Sequence, residues 1–108
     1  MAAEIIIATY IMSNRKHGTL YVGVTDDLFR RCHEHRHGLY EGFTKKYQLS
    51  KLVYFERYTD ILRAMHREER LKKYMREQKI RLIEKINPDW KDLYSQLLHY
   101  SIEEEIAL

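Results

Sequence analysis

The chain has 108 residues, 44% hydrophobic and 32% charged, with 1 Pro, 4 Gly and 1 Cys. That length holds one domain, and the composition excludes a disordered, collagen-like or disulfide-framed chain. A formal charge of +3 is a weak pointer to an acidic partner.

No apolar run nears the roughly 20 residues of a membrane-spanning helix. Met1 to Ile5 carries neither a basic leader nor a cleavage signature. A cytoplasmic, reducing setting with no membrane is the expectation. In chain order, residues 5–12 (IIIATYIM) form a first strand covered on both faces. The polar stretch 13–18 is a hairpin loop, and 19–24 (TLYVGV) a second strand. With that loop length Met12 faces Thr19 and Tyr10 stands directly opposite Tyr21, both hydroxyls on one face. Gly23 follows Tyr21 on that face and leaves an opening into which a backbone or ligand could enter.

Thr25, Asp26 and Asp27 supply a cap for a helix over 26–37. It buries Leu28 and Cys32, with Arg31 and His35 in a parallel i, i+4 row beside them. Gly38 and Gly42 bracket a loop holding FTKKY, and 51–57 is a third strand. Thr59 and Asp60 cap a helix reaching Tyr74, whose apolar stripe is Ile61, Ala64, Met65, Leu71 and Met75. Residues 76–86 are helical, with Ile80, Ile83 and Ile86 on one stripe. Asn87-Pro88 ends that helix and opens an amphipathic one carrying Trp90, Leu93, Tyr94, Leu97 and Leu98. Ser101 to Leu108 is an acidic tail.

Charge is segregated along the chain. Residues 13–51 and 60–81 each hold eight Arg/Lys against four acids, while 82–108 hold two against six. The separation suits a nucleic-acid face; solvated helix surfaces are the plainer explanation.

Three features exceed what packing requires. Glu68 lies mid-stripe, where a carboxylate needs a cation, a metal or several donors; an ion pair with Lys72 or Arg67 would also satisfy it. Arg31 beside the buried seam offers a planar fork suited to phosphate, unless it pairs with a carboxylate, and His35 could equally be a surface histidine. A histidine-based zinc site is disfavoured, because no acids stand at ligand spacing on the same face. The third feature is the pair Tyr10 and Tyr21.

Taken together, Tyr10 near the end of an apolar strand, Tyr21-Val22-Gly23, Leu28, Arg31-x-x-x-His35 and Glu68 resemble the GIY-YIG nuclease superfamily. Gly42-Phe43-Thr44-Lys45-Lys46-Tyr47 and Asn87-Pro88-Asp89-Trp90-Lys91-Asp92-Leu93 resemble its small bacterial stand-alone members. The first motif reads Ala8-Thr9-Tyr10 for Gly-Ile-Tyr, and the second has Val22 for Ile. No counterpart follows Glu68 for the polar residue some members carry, and Val24 stands where a basic side chain is usual.

The resemblance implies an α/β (α+β) fold, a small three-stranded antiparallel sheet flanked by helices. The domain spans 1–100, with a core over 5–75, a helical extension over 76–100 and the tail beyond. The implied activity is metal-dependent hydrolysis of DNA phosphodiesters using Mg²⁺ or Mn²⁺ and no small-molecule cofactor. Tyr10 and Tyr21 match the motif tyrosines, Arg31 the phosphate-binding arginine, Glu68 the metal-holding glutamate, and His35 a histidine common on the arginine helix.

Hydrolysis needs an activated water, a neutralised phosphate and help for the departing oxygen. Either tyrosine can be the base, with Tyr10 slightly preferred; His35 relays a proton or touches phosphate. Arg31, Arg36, Lys45 and Lys46 are candidate DNA-binding residues. A chain this short leaves no room for a separate recognition domain, so structure-selective rather than sequence-selective cutting is expected, with a role in DNA repair or processing. A catalytically inactive nucleic-acid-binding module is the main alternative, and an adaptor using the Trp90 helix a third. A monomer or weak homodimer is expected, the latter through apolar residues of the last helix.

Overall fold

A computed structural model of the chain describes residues 5–39, 42 and 46–97. The β-branched run after Ile6 forms β1 (Ile7–Ser13), which pairs antiparallel with both β2 (Leu20–Thr25) and β3 (Lys51–Tyr58). The sheet order is β2-β1-β3, the three-stranded antiparallel sheet expected. As the central strand, β1 is covered on both faces: Ala8, Tyr10 and Met12 on one side and Thr9 and Ile11 on the other are all fully buried.

The hairpin register differs from the one predicted. Ser13 belongs to β1 and pairs with Leu20, so Tyr10 faces Gly23 and Tyr21 faces Met12. Despite its polarity Ser13 is buried, because its hydroxyl donates to the Arg15 carbonyl at 2.7 Å. The partner of Tyr10 moves by two residues, an even step that preserves the face. The two tyrosines are therefore diagonal neighbours rather than an opposed pair.

Helix α1 (Leu28–Arg36) lies on the Tyr10 face, burying Leu28, Cys32 and His35. The Asp27 side chain accepts the Arg30 N–H at 3.2 Å to start it. Gly38, at φ +66°, takes the left-handed step that ends it.

Helix α2 (Ile61–Lys72) lies on the opposite face, where the Thr9 hydroxyl donates to the Ala64 carbonyl at 2.6 Å. Its predicted stripe needs correction. Ala64 and Leu71 are buried, but Met65 is 44% and Met75 65% exposed. The sheet-facing row is Ile61, Ala64, Arg67 with Glu68, and Leu71, which turns Met65 onto the flank.

Helix α3 (Arg76–Ile86) buries Ile83, while Ile86 is exposed at its end. The amphipathic helix expected from Asn87 does not begin there. The Asn87 side-chain nitrogen donates to the Val53 and Lys91 carbonyls, and its Oδ1 accepts the Lys91 N–H. These bonds fold 87–91 into a loop instead of capping a helix. Trp90 adopts φ +56° and enters the core beside Ile11, Val53, Leu71 and Ile83. Its Nε1 donates to Glu84 at 2.8 Å, and His17 reaches the same carboxylate oxygen at 2.8 Å. Leu93 N–H then bonds the Leu52 carbonyl, and helical residues resume only at 94. Leu93 and Leu97 are also buried and pack into the chain's own core. Leu98, Lys45 and the tail lie outside the described residues. Among the described residues no helix is long and apolar enough to cross a membrane.

Candidate active site

Sheet and α1 bring three of the singled-out rings together. Tyr10 comes from the middle of β1, Tyr21 from β2 and His35 from the last turn of α1. Ring centroids lie 6.4 Å apart for Tyr10 and Tyr21, and 5.9 Å from His35 to each tyrosine. The Tyr10 hydroxyl stands 3.3 Å from His35 Nε2.

Gly23 makes this arrangement possible. A Cβ built on it would fall 2.6 Å from both Cζ and the hydroxyl oxygen of Tyr10. The opening expected beside Gly23 is thus filled by the chain's own phenol. Tyr10 is fully buried, whereas Tyr21 is only partly so.

His35 is a core residue, 7% exposed. Burial, helped by the Arg31 charge, pulls its pKa down to about 4, so the imidazole is neutral near pH 7. Arg31 precedes it by one helical turn and lies 3.2 Å through Nε from Glu34 Oε1. Part of the guanidinium fork is therefore turned to a neighbouring carboxylate on the same helix. Burial, then the Asp92 charge, raises the Cys32 thiol to about 12, which leaves that buried side chain protonated and unsuited to nucleophilic work.

Glu68 sits elsewhere. It belongs to α2, on the other face of the sheet, and its Oε2 is 2.9 Å from Lys72 Nζ. Among the described residues it makes no hydrogen bond or ion pair with Tyr10, Tyr21, Arg31 or His35. Its helix does pack against β2, the edge strand that carries Tyr21. Arg36 is tied to Asp92 and lies over the Tyr94 ring at 4.7 Å, which fastens α1 to the 91–97 segment. Lys46 is exposed, 5.5 Å above the Tyr47 ring.

Sequence reasoning missed a second polar centre. Glu56 on β3 accepts from Arg67 Nε at 2.9 Å and Nη2 at 3.0 Å, from the Tyr58 hydroxyl at 2.9 Å, and from Tyr54. Burial alone would raise this carboxyl, but hydrogen bonds from Arg67, Tyr54 and Tyr58 outweigh it and hold the group below its ordinary range. The alternation of Tyr54, Glu56 and Tyr58 along one strand face was the available signal.

Among the described residues no group of three or more His, Cys, Asp or Glu side chains could together hold a metal ion. A tightly caged ion such as structural zinc does not fit such a donor set. Mg²⁺, which keeps most of its waters and needs only one or two carboxylates besides substrate phosphate, fits a single oxygen donor such as Glu68.

Comparison with known proteins agrees with this architecture. A family described as the GIY-YIG catalytic domain matches residues 6–81. A UPF0213 protein of Staphylococcus epidermidis is 37% identical over 67 residues, covering 62% of this chain and 82% of its own. A UPF0213 protein of Staphylococcus aureus is 38% identical over 66 residues, covering 61% and 80%. No solved structure gives a significant match. With the matched region spanning both motif strands, the ring cluster and α2, this chain belongs to the GIY-YIG nuclease family.

Proposed function

We propose that this protein is a divalent-metal-dependent endonuclease that cuts DNA phosphodiesters, selecting substrates by structure in DNA repair or processing. The observation that supports it best is the Tyr10–His35–Tyr21 cluster with Arg31 one turn from His35.

Tyr21, the partly exposed phenol, faces the attacking water, while the sealed Tyr10 holds the neutral imidazole in place. Because His35 is uncharged, its Nε2 can accept a hydrogen bond from the Tyr10 hydroxyl, which fixes the phenol beside Tyr21. Arg31 meets the phosphate, and its charge counters the negative charge that builds in the transition state. Glu68 would hold the cation through its carboxylate, in competition with Lys72. A bound divalent ion would supply further neutralisation of the phosphate and lower the pKa of a coordinated water.

One alternative draws on a specific contact. The Glu68–Lys72 pair favours a DNA-binding module on this fold that does not cut.

A metal-titrated nicking assay over duplex, forked and single-stranded DNAs separates the two. For the nuclease, wild type cuts with Mg²⁺ or Mn²⁺, while Glu68→Ala and Arg31→Ala bind DNA without cutting. Tyr21→Phe should lose about 10²–10⁴ in rate, the usual contribution of a positioned base. Binding by every form with no cutting by any identifies the module.

A further inference from the structure

Away from the ring cluster, Tyr58, Leu62, Arg63, His66, Arg67 and Arg70 line an open groove of about 470 Å³ beside α2. Arg63, His66 or Arg67, and Arg70 recur at i, i+3 or i+4, and i+7, one helix face two turns long, or about 10 Å.

The charges along this row are not equivalent. Arg67 is neutralised by Glu56, which grips it through two nitrogens and is itself held by Tyr54 and Tyr58. Arg63 and Arg70 are exposed, and among the described residues neither forms an ion pair. Among the described residues no carboxylate lines the groove. The arrangement is a rigid, compensated floor between two uncompensated guanidinium groups. Tyr58 and Leu62, the latter 69% exposed, add an apolar edge suited to sugar rings.

We propose that this groove is a second DNA site, at which Arg63 and Arg70 grip phosphates of the duplex flanking the cut. The inference rests on the nuclease reading for the identity of the polyanion. Its role is affinity and placement of the duplex against α2, the helix that carries Glu68, with no reading of base sequence.

The test uses the full chain in EDTA, so that no cutting occurs, with a fluorescent duplex of about 25 base pairs titrated across about 50–200 mM salt. Replacing both arginines (Arg63→Ala with Arg70→Ala) should weaken binding about tenfold or more. Each lost phosphate contact removes about 0.9 from the slope of log affinity against log salt, so the slope should fall by about 1.8. Lysines at both positions should restore most of the slope, whereas Lys85→Ala, an exposed change on α3, should leave it unchanged.

An unchanged slope in the double alanine variant, with wild type binding and cutting normally, overturns the groove and leaves the nuclease standing. Competition by polyglutamate as effective as unlabelled duplex also overturns it, since the groove would then suit an acidic protein. Wild type that neither binds nor cuts DNA removes both readings.

Discussion

The Tyr10 phenol occupies the space that any side chain at position 23 would need, 2.6 Å from a Cβ built on Gly23. The two residues are direct cross-strand partners, so the glycine serves close approach. Adding one methyl would push the ring toward His35 or bow the strands apart. Gly23→Ala should cost about 1–3 kcal/mol of stability, the usual range for overpacking, and should abolish cleavage at temperatures where the variant stays folded. Urea denaturation followed by the nicking assay checks both parts.

His35 makes stability depend on pH in a defined window. Its folded pKa is about 4 against an ordinary 6.5. Between those values the unfolded chain takes up a proton that the folded chain refuses, so stability falls as pH drops from about 6.5 toward 4. Above 6.5 the group contributes no slope. The total loss is on the order of 3 kcal/mol. Urea midpoints at several pH values should show the decline, and His35→Gln should flatten it.

Lys72 competes with any cation for the Glu68 carboxylate. The lysine end of the pair is 55% exposed, so Lys72→Ala should change stability by less than about 1 kcal/mol. The variant should also reach half-maximal cleavage at a lower Mg²⁺ concentration than wild type. An unchanged Mg²⁺ dependence would remove Glu68 from the cation site.

Asn87 is buried and satisfies the Val53 carbonyl together with both backbone groups of Lys91. Asn87→Ala strands those groups, each loss carrying about 1–3 kcal/mol of desolvation. A destabilisation of about 2–4 kcal/mol is expected in chemical denaturation, with a looser 87–93 segment in hydrogen exchange.

The residues that declared themselves in the sequence did so through local chemistry. β-Branched and aromatic runs set the three strands, Asp27 and Asp60 set helix starts, and the span 76–86 is the helix observed. Long-range contacts decided the rest. Ser13 looked like loop because its buried partner, the Arg15 carbonyl, cannot be read from composition. Asn87-Pro88 is equally a helix start or a turn until Val53 supplies a carbonyl for the amide. In the site, helical spacing set Arg31 and His35 side by side, and alternation put both tyrosines on one face. The burial of His35 required the sheet to be in place. The engagement of Glu68 with Lys72 was legible as an i, i+4 pair; which face of the sheet its helix covers was not, because that depends on tertiary packing.

The enclosed indole at position 90 gives this molecule a native optical reporter. It is the sole tryptophan, shut from water, tethered to Glu84, and met edge-on by the His17 ring at 5.3 Å. Its emission therefore starts blue-shifted and moves red when the C-terminal segment leaves the core. A label-free fluorescence experiment can thus time the seating of the segment after α3 against the sheet.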